Sequence, residues 1–433
     1  MKITVIGAGY VGLVTAVCLA EVGHEVLCAK KTTRNLDKLR NGISPIYELG
    51  LTEMLQSNLK RGRIEFTTDM EKAVEFSDVI FICVGTPSNQ KGEADLDQVF
   101  EVSRSVAEHM DRYKLLIEKS TVPVNTHQKI EKIMSSITDI EFEVASNPEF
   151  LSEGNSVHNF MHPHRIVVGV ASERARKIFQ EIYEPFTSEG YPLLFSDVAS
   201  AEIIKYASNA FLAIKISYIN MIADLCEKTG ANIDYVSRGV GLDHRIGDKF
   251  LDAGLGYGGS CLPKDVNALI ETYQEYQLDN GLLVETRKIN QQRREKFYED
   301  IMEALEKVDG KTITIWGLAF KPNTDDIRAA PAVDIVQKLK ESGAKLKLYD
   351  PQAKENFSRK IPEEGNITYY QDKYEALEDS DALVIITDWK EFEEPDMDKI
   401  KELMNSPNIF DGRNILDKEL MAQKEFNYYS MGR

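Results

Sequence analysis

The sequence predicts an α/β protein in which two α/β domains flank a helical middle. Short runs rich in β-branched residues alternate with helical patterns from Lys2 to about Leu194, and the alternation resumes near Lys311. Between them, residues 196–230 carry alanine, isoleucine and leucine at helical spacing and show no strand signal. Because strands that alternate with helices pair in parallel through crossover helices, both outer domains are expected to be doubly wound. The predicted domain bounds are 1–195, 196–309 and 310–433.

The first domain is predicted to begin with a strand, a turn and a helix. Its strands are expected at ITVIG, EVLCA, RIEFT, DVIFICV, LLIEKS, FEVAS and RIVVGV. The opening residues combine a lysine, an apolar run and small residues, as a secretion signal does. Three regularly spaced glycines interrupt that run and a helical pattern follows, so it is interpreted as folded structure. No other stretch is expected to be apolar for long enough to span a bilayer.

The middle domain is predicted to begin with one long helix. The helical pattern ends at Gly230, a residue type that stops helices. At 1.5 Å per residue, about 30 residues make a rod of about 45 Å, which must pack on more than one side. The helix is therefore expected to join the outer domains and to form a homodimer contact through residues 200–230. A charged helical run, TRKINQQRREKFYEDIMEALEKV, closes this domain.

The last domain repeats the α/β pattern. Strands are expected at TITIWG, KLKLYD, DALVIIT and NIFDG, and helices at AVDIVQKLKESG, KYEALEDS and DMDKIKELM. GLAFKP follows the first of these strands, so this domain lacks a glycine fingerprint of its own. No short repeat or low-complexity tract interrupts the chain.

Composition and charge exclude several classes of partner. With 433 residues, 42% hydrophobic and 28% charged, the chain is expected to form two or three globular domains. A formal net charge of -18 disfavours nucleic acid and anionic membrane surfaces. The five cysteines are scattered without CxxC spacing, so neither a disulfide framework nor a metal site is expected. A reducing, cytoplasmic location fits this cysteine usage best.

A dinucleotide-binding turn is predicted after the first strand. Gly7, Gly9 and Gly12 satisfy GxGxxG at the opening of a helix. Such a turn lets the backbone approach a pyrophosphate, which then lies at the positive end of the helix. A turn with only a structural role is the weaker alternative, because strand, spacing, helix and next strand agree.

The ribose end of this site departs from the pattern for NAD. An acidic residue is expected at the end of the second strand, whereas the chain has Ala29, Lys30 and Lys31 there. Lys30, Lys31 and Arg34 are suited to the additional phosphate of NADP. An exposed basic loop without a role in binding is the alternative, so the choice between NAD and NADP stays open.

The loop GLGYGGSCLPKD, residues 254–265, surrounds Cys261 with glycines. A free cysteine usually packs as a small buried hydrophobe, and the loop alone favours that interpretation. The other interpretation is a nucleophile on a pliable loop, with Lys264 nearby to stabilise the thiolate.

Several strings together resemble one family over nearly the whole chain, the nucleotide-sugar dehydrogenases, and among them the members that oxidise UDP-glucose. They are GAGYVGL, PIYELGL, VGTP, GEADL, KSTVP, SNPEFLSEG, EIIKYASNAFLA, GYGGSCLPKD and GLAFKPNTDDIR, in an order and spacing that make the combined match specific. The resemblance implies an N-terminal Rossmann domain, a helical linker with the dimer helix, and a C-terminal Rossmann-like domain that holds the uridine nucleotide. It also implies oxidation of a primary alcohol to a carboxylate, UDP-glucose to UDP-glucuronate, with two hydrides passed to nicotinamide cofactors.

This resemblance assigns the central chemistry to three residues. Cys261 is expected to add to an aldehyde intermediate, because the thiohemiacetal can lose a second hydride and become a thioester that water cleaves. Lys205 is expected to stabilise the oxygen that becomes negative. Asn209, four residues later on the same helix, is expected to donate a hydrogen bond to that oxygen.

Three further residues complete the expected catalytic set. Asp265 is expected to activate water, and Thr121 and Glu149 to position a hydroxyl or a water and to assist proton transfer. The division of proton transfer among Lys205, Asp265 and Glu149 is left open. Each residue has a structural alternative, such as a solvent-facing group, a turn cap or an ion pair, but the joint match to one mechanism favours chemistry.

Two sets of binding residues follow. Those expected at the cofactor are Gly7, Gly9, Tyr10, Val11, Gly12, Lys30, Lys31, Arg34, Thr86, Thr121, Lys264 and Arg328. Those expected at the UDP-sugar are Glu149, Phe150, Leu151, Lys205, Asn209, Arg245, Phe250, Leu251, Gly258, Lys321 and Arg413. The resemblance implies that Arg245 is offered across a dimer interface. Such local cations let an acidic protein bind an anionic substrate.

One further departure and two alternatives accompany the resemblance. Leu49 in PIYELGL replaces a proline that the family tends to have, which removes a rigid turn but no chemical group. The same chemistry on GDP-mannose or a UDP-N-acetylhexosamine is one alternative. A catalytically silent nucleotide-sugar sensor is the other, and the presence of Cys261, Lys205 and Asp265 together disfavours it.

Overall fold

The computed structural model describes residues 1–87 and 94–433, which form two compact units. The first unit comprises Met1–Ser208 with Asn267–Tyr276, and the second Asn209–Val266 with Gln277–Arg433. The first two residues of the GEADL string, Gly92 and Glu93, lie outside the described residues. The three-domain bounds drawn from the sequence stay a prediction.

The first unit is built on one sheet whose described strands follow the order β3-β2-β1-β4-β5-β6-β7-β8. The strands are β1 Lys2–Ile6, β2 Glu25–Ala29, β3 Ile64–Thr67, β4 Val79–Ile82, β5 Lys114–Glu118, β6 Phe142–Ser146, β7 Ile166–Gly169 and β8 Leu193–Ser196. Neighbours are parallel except β6 and β7, which pair antiparallel through Ser146 and Gly169. The all-parallel expectation is wrong there, because the chain between these strands does not cross back over the sheet.

Helices cover both faces of this sheet. They are α1 Tyr10–Glu21, α2 Leu36–Arg40, α3 Leu51–Lys60, α4 Met70–Phe76, α5 Asp97–His109, α6 Thr126–Ser135, α7 Ser156–Met161, α8 Glu173–Ile182 and α9 Glu184–Thr187. Successive strand residues enter different apolar clusters, as Phe81 and Ile82 do on β4. Burial on both faces explains why these strands are nearly continuous apolar runs.

The predicted long helix is present as α10, Val198–Thr229. Among the described residues it is long and apolar enough to cross a membrane by length and composition alone, with 44% of its most apolar window buried. The expectation that no such stretch exists is therefore wrong for α10. A single helix of this kind is weak support for a membrane span, because the core helix of a soluble protein passes the same test. The helices that follow are α11 Ile233–Gly241, α12 Leu262–Glu275 and α13 Gly281–Leu305.

The second unit contains a parallel sheet with the strand order β11-β10-β9-β12-β13-β14. Its strands are β9 Thr312–Trp316, β10 Lys345–Tyr349, β11 Ile367–Tyr369, β12 Ala382–Ile385, β13 Asn408–Asp411 and β14 Asn427–Ser430. Its remaining helices are α14 Pro331–Glu341, α15 Lys354–Lys360, α16 Lys390–Glu393, α17 Met397–Leu403 and α18 Lys418–Gln423. The expected α/β architecture is thus confirmed.

Two kinds of element differ from the sequence expectation. The strands β8, β11 and β14 were not predicted, and β11 and β14 are edge strands of three and four residues. The helix expected at KYEALEDS is wrong, because only a 3-10 helix forms at Glu375–Leu377. Asp379 has a φ of 56°, a left-handed conformation that stops a helix.

Candidate active site

The turn after β1 has the geometry of a dinucleotide cradle. Gly7 has a φ of 112°, and a Cβ there would lie 2.5 Å from the Cys83 carbonyl oxygen. A Cβ on Gly12 would lie 1.8 Å from the Gly7 carbonyl oxygen, so α1 could not pack as closely. A Cβ on Gly9 would meet no atom of residues 1–87 or 94–433 within 4 Å, so these residues leave space at the N-terminus of α1. These residues fit the pyrophosphate of a nicotinamide dinucleotide.

Tyr10 and Val11 form the first turn of α1. The Tyr10 hydroxyl accepts hydrogen bonds from the Gly154 N–H at 3.1 Å and from Ser156 Oγ at 3.0 Å. Glu48, from PIYELGL, accepts the main-chain N–H groups of Gly154 and Ser156 at 2.8 and 2.7 Å. Burial raises the pKa of Glu48 despite these bonds. The PIYELGL string therefore anchors the loop of SNPEFLSEG to the glycine turn.

Two of the three cations at the ribose end have partners within the chain. Lys30 donates a hydrogen bond to the Arg34 carbonyl. Lys31 forms an exposed ion pair with Glu101 on α5, with 2.7 Å between Nζ and Oε1. Arg34 is exposed. A carboxylate thus stands near the position where the sequence showed only positive charge.

Thr86 and Thr121 lie after β4 and β5, at the carboxyl edge of the sheet. Thr86 Oγ1 donates to the Thr121 carbonyl at 2.8 Å and ties VGTP to KSTVP. Because β1, β4 and β5 are parallel neighbours, this edge also carries the glycine turn. Ligands of doubly wound sheets bind at this edge.

Glu149 and Lys205 form a buried ion pair in the first unit. Lys205 Nζ lies 2.7 Å from Glu149 Oε1, and their side chains are 4% and 5% exposed. The other carboxylate oxygen accepts the Leu151 N–H at 2.5 Å. Burial would raise the pKa of Glu149, but Lys205, the Leu151 N–H and Lys119 together hold it below its ordinary value. The Phe150 ring lies 5.6 Å from Lys205 Nζ.

Lys119 in KSTVP is a further buried cation that the sequence analysis did not single out. Its Nζ donates to the Asn147 carbonyl at 3.3 Å and to Asn147 Oδ1 at 3.0 Å. Burial lowers the pKa of Lys119 to about 8, although Cys83 and Glu149 oppose the shift. The available signal was the charged pair that ends the apolar run LLIEKS, since charge at the carboxyl end of a buried strand requires a partner.

Cys261 differs from the other cysteines in its exposure. Cys18, Cys28, Cys83 and Cys226 are buried, whereas Cys261 is partly exposed. Burial raises the pKa of the Cys83 thiol to about 12, which keeps that sulfur protonated. Cys261 directly precedes α12, where the positive end of the helix favours a negative sulfur. This position supports the nucleophile interpretation over simple packing.

Asp265 lies one turn after Cys261 and is held from two sides. It is 1% exposed. Asn209 Nδ2 donates to Asp265 Oδ2 at 2.6 Å, and Lys264 Nζ lies 2.6 Å from Oδ1. The sequence-predicted residues Asn209, Lys264 and Asp265 therefore form one hydrogen-bonded group.

The nucleophile loop packs against the GLAFKPNTDDIR segment. A Cβ on Gly258 would lie 2.4 Å from the Ala329 carbonyl oxygen, so only glycine allows this approach. The Gly259 N–H donates to the Arg328 carbonyl at 2.8 Å. Two sequence motifs that are distant along the chain thus form one surface of the second unit.

Three cations predicted at the ligands lie in the second unit. Arg413 Nε donates to the Ile386 carbonyl at 2.7 Å, and its two terminal nitrogens donate to the Gly256 and Phe320 carbonyls at 3.3 and 3.2 Å. Arg328 is exposed and pairs with Asp326, and Lys321 lies over the Phe320 ring. Arg413 therefore fastens the nucleophile loop to its neighbours.

The predicted sugar loop has an exposed and a buried part. Arg245 is 78% exposed and pairs with Asp243 at 2.6 Å. Phe250 is exposed and has a φ of 63°. Leu251 is buried in an apolar cluster, and its carbonyl accepts the Ser237 hydroxyl at 2.6 Å.

The predicted site residues are divided between the two units. One group, in the first unit, comprises Gly7, Gly9, Tyr10, Val11, Gly12, Thr86, Thr121, Glu149, Phe150, Leu151 and Lys205, with Lys30, Lys31 and Arg34 at the ribose end. The other, in the second unit, comprises Asn209, Arg245, Phe250, Leu251, Gly258, Cys261, Lys264, Asp265, Lys321, Arg328 and Arg413. The fold and the glycine turn define the class, a Rossmann-type dinucleotide-binding protein.

Comparisons with known proteins narrow that class. Residues 1–187, 199–292 and 314–418 match the NAD binding, central and UDP binding domains of the UDP-glucose/GDP-mannose dehydrogenase family. The chain is 46% identical over its full length to a UDP-glucose 6-dehydrogenase of Rhizobium meliloti (strain 1021), and covers all of that protein. It is 44% identical to the UDP-glucose 6-dehydrogenase TuaD of Bacillus subtilis (strain 168), covering 93% of it.

A solved structure agrees with these relatives. The UDP-glucose dehydrogenase from Pyrobaculum islandicum superposes with a TM-score of 0.92 at 35% identity, covering 99% of this chain and 96% of that one. The chain belongs to the UDP-glucose/GDP-mannose dehydrogenase family, as the sequence predicted.

Proposed function

We propose that this protein oxidises UDP-glucose to UDP-glucuronate in two successive hydride transfers. The relatives that cover the whole chain at 44–46% identity are named UDP-glucose 6-dehydrogenases, which supports this substrate. The observation that carries the proposal is Cys261, a partly exposed thiol at the start of α12, one turn before the buried and doubly held Asp265. A nucleotide-sugar sensor has no use for such a thiol.

Cys261 allows one pocket to oxidise the sugar twice. The first oxidation converts the C6 alcohol to an aldehyde with loss of a proton and a hydride. Sγ then adds to the carbonyl carbon, and the thiohemiacetal loses its proton and a second hydride to become a thioester. Water attacks the thioester carbon, the C–S bond breaks, and the carboxylate leaves with the thiol restored. Two molecules of nicotinamide cofactor, when bound, accept the two hydrides.

Lys205 and Asn209 are proposed to stabilise the negative oxygen of these steps. They lie one turn apart on α10, which supports their action on one substrate. Fixed donors directed at a developing charge are worth about 10²- to 10³-fold in turnover. Glu149, which already holds Lys205 Nζ at 2.7 Å, is proposed to take part in proton transfer. Thr121 is proposed to position the reacting hydroxyl or a water.

Asp265 is proposed to activate the water that cleaves the thioester. The carboxylate is buried and accepts hydrogen bonds from Asn209 and Lys264, so its orientation is fixed. A fixed orientation suits a general base because the proton must be within hydrogen-bond reach.

NAD is the proposed cofactor. Two of the three cations that suggested NADP have partners, Lys31 with Glu101 and Lys30 with the Arg34 carbonyl. The family description of residues 1–187 as an NAD binding domain supports the same choice. Comparison of kcat/KM with NAD and NADP tests it, and a higher value with NADP would contradict it.

The UDP-sugar is proposed to bind through the second unit. Residues 314–418 match the family's UDP binding domain. Lys321 and Arg328 are proposed to meet phosphates, and Phe250, Leu251 and Gly258 to border the sugar. Arg413 is proposed to act near the nucleotide sugar through the loop that it fastens.

One experiment tests the reaction directly. The purified protein is incubated with UDP-glucose and NAD, and both the acid formed and the cofactor reduced are measured. We expect two molecules of NADH per molecule of UDP-glucuronate. Cys261→Ser should abolish acid formation while substrate binding survives, and Cys226→Ala, at a buried thiol, should not. Steady acid production by Cys261→Ser would contradict the proposal. GDP-mannose and UDP-N-acetylhexosamines in the same assay test the alternative substrates.

The protein is also proposed to form a homodimer through α10. Phe211, Tyr218, Met221 and Leu225 recur at helical spacing on this helix and are 46–60% exposed. A second copy of this apolar face would cover them and would bring in the exposed Arg245 as the family resemblance implies. Phe211→Asp with Leu225→Asp should halve the mass in sedimentation, whereas Leu420→Asp on α18 should not. A wild-type monomer would contradict the proposal.

A cytoplasmic location is proposed from the cysteines. The five cysteines all lie in the described part of the chain, and none of them forms a disulfide. Free thiols persist in reducing compartments. Fractionation of the cells that produce the protein tests this location.

A further inference from the structure

A second buried lysine, Lys119, lies near the Glu149–Lys205 pair. Lys119 directly follows β5 and is 4% exposed. Its ammonium donates both to the main chain and to the side chain of Asn147, two residues before Glu149. Lys119 and Glu149 also line one cavity of about 70 Å³. The lysine therefore acts on the segment that presents Glu149.

Besides Lys119, three residues form hydrogen bonds with Asn147 and fix its orientation. The Tyr183 hydroxyl donates to Asn147 Oδ1 at 2.5 Å, beside Lys119. Asn147 Nδ2 donates to the Val167 carbonyl at 2.8 Å, and its main-chain N–H donates to the Glu118 carbonyl at 2.9 Å. A neutral donor in place of Lys119 would satisfy the same acceptors. Hydrogen bonding alone thus does not explain why a cation is buried here.

Electrostatics supplies the reason for the charge. The charge of Lys119 contributes to the lowered pKa of Glu149, and Glu149 in turn opposes the lowering of the Lys119 pKa. The other titratable groups around Lys119 come from several elements: Cys83, Tyr183, Lys205 and the cavity-lining His162, His164 and Arg165. Glu149 is the carboxylate with which Lys119 interacts. One carboxylate therefore interacts with the ammonium groups of both Lys119 and Lys205.

The charge count has a chemical consequence. A Glu149–Lys205 pair alone is neutral, and its Coulomb attraction would hold the Lys205 ammonium on the carboxylate. With Lys119 the three groups carry a net charge of one. That surplus is what a developing oxyanion requires from its surroundings.

We propose that Lys119 is a positioning residue that fixes the turn before Glu149 and leaves the Glu149–Lys205 pair with a net positive charge. The argument for turnover rests on the proposed function, whereas the argument for Glu149 rests on the geometry alone. The alternative is a lysine that only fills space in the core. In that case its replacement would not change the pKa of Glu149.

The test uses a charge-removing variant at Lys119 and a matched control at Lys114, the first residue of the strand that Lys119 follows. Lys119→Gln keeps an N–H donor and removes the charge. Lys114→Gln does the same to a lysine that is also fully buried, but which donates to the Val74 and Ser77 carbonyls. Both variants disturb β5, and Lys119 alone adjoins Glu149.

Two measurements are made on each protein. Carbon-13 NMR of labelled glutamate follows the titration of Glu149, assigned with Glu149→Gln. Turnover with UDP-glucose is measured as a function of pH. We expect a higher Glu149 pKa in Lys119→Gln, a kcat at pH 7 lower by on the order of 10-fold with KM nearly unchanged, and an acidic limb of the kcat profile displaced to higher pH. Lys114→Gln should show none of these changes.

The outcomes separate this proposal from the proposed function. An unchanged Glu149 titration in Lys119→Gln, or a turnover equal to that of Lys114→Gln, overturns it. If the wild-type protein does not oxidise UDP-glucose, the NMR titration still decides. If Lys119→Gln does not fold, the wild-type spectrum decides, because the Glu149 signal should show a second inflection near pH 8 as Lys119 loses its proton. Absence of that inflection overturns the proposal.

Discussion

The two sheets of this protein begin with the same strand order and nearly the same turn, yet only one presents an open glycine. In the first unit Gly7 follows β1, has a φ of 112° and donates to the Ala29 carbonyl at 2.8 Å. In the second Gly317 follows β9, has a φ of 95° and donates to the Tyr349 carbonyl at 2.9 Å. The shared strand order therefore places a similar glycine turn after the first strand of each sheet.

The residues after these turns create the difference. In the first unit α1 begins at Tyr10, three residues after Gly7, and Gly9 leaves open space at the start of the helix. In the second unit α14 begins only at Pro331, and the residue two positions after Gly317 is the fully buried Ala319. A pyrophosphate needs both the open glycine and the helix N-terminus. Ligand specificity thus resides in a few residues and not in the sheet.

The residues that follow β2 and β10 also differ, and here the second unit has the residue type expected in a dinucleotide site. Lys30 follows β2, whereas Asp350 follows β10. Asp350 occupies the place of a ribose-binding acid, but its oxygens accept five hydrogen bonds from the protein itself, from the N–H groups of Leu318, Ala319, Gln352 and Ala353 and from Trp389 Nε1. An acidic residue of the type that binds the ribose of NAD is therefore present in the second unit, which lacks the glycine turn. There the Asp350 carboxylate holds the surrounding main chain in place.

Removal of the Asp350 carboxylate should have the largest effect on stability. Asp350→Ala leaves five buried donors without an acceptor, and we expect the free energy of unfolding to fall by about 4 kcal/mol. Urea denaturation measures it. Asp350→Asn keeps one acceptor oxygen and should lose roughly half as much. Lys30→Ala, at the matching position of the first sheet, should change stability by less than about 0.5 kcal/mol. Equal losses at the two positions would contradict the comparison.

A methyl group at Gly9 should separate binding from stability. The methyl group of Gly9→Ala meets no atom of the described residues within 4 Å, so the fold should tolerate it, but it occupies the proposed pyrophosphate space. We expect cofactor affinity to fall about 100-fold, or about 2.7 kcal/mol, with an unchanged melting temperature. Calorimetric titration with NADH measures the affinity. Gly239→Ala, another glycine with open space around it, is the control. Unchanged affinity would show that the cradle lies elsewhere.

The parts that the sequence predicted correctly are those encoded by local pattern. The strand, turn and helix at residues 2–21 follow from spacing, and α10 follows from more than thirty residues of one periodicity. Cys261 and Asp265 could be proposed as site residues, and stay a prediction, because one short motif carries both. Local pattern is legible because neighbouring residues in the chain determine it.

The parts that were missed depend on distant contacts or on very short elements. Lys31 meets Glu101 seventy residues later, and the acid near the ribose end was therefore invisible in the second strand. Lys119 is buried because β5 ends inside the fold, and the charged pair that ends LLIEKS was a weak local sign of this burial. The edge strands β11 and β14 are too short to show a period of two.

An acidic residue at the end of β2 should increase the preference for NAD over NADP. Lys30→Asp gives the first sheet the residue type that Asp350 provides in the second, positioned for the ribose hydroxyls of NAD. We expect the ratio of kcat/KM for NAD over NADP to rise about 10-fold, or about 1.4 kcal/mol. Lys72→Asp makes the same charge change on α4 and should leave the ratio unaltered. A fall in the ratio would contradict this assignment of the ribose end.

The fifth positions of the two sheets differ in how each carboxyl group is satisfied. Glu118 ends β5 and Asp411 ends β13, and both side chains are buried. Asp411 accepts hydrogen bonds from the Arg413 and Leu416 N–H groups and from the Tyr428 hydroxyl. Neither Glu118 oxygen accepts a hydrogen bond from a described residue, and Glu202 lies beside it. One carboxyl group is bonded to donors and the other faces a second carboxyl group.

The smallest expected effect is a pH-dependent increase in the free energy of unfolding when Glu118 is replaced by glutamine. Burial and Glu202 raise the pKa of Glu118 well above its ordinary value, so the folded chain keeps a proton that the unfolded chain releases. The free energy of unfolding consequently declines as pH rises above the unfolded pKa of about 4.3. Glu118→Gln removes this decline and should raise stability at pH 7 by on the order of 1 kcal/mol, with no gain at pH 4. Asp411→Asn should instead destabilise, because its three donors lose a charged acceptor. Thermal unfolding of both variants across this pH range measures the difference, and a gain from Glu118→Gln that did not depend on pH would show that this carboxyl group is ionised in the folded protein.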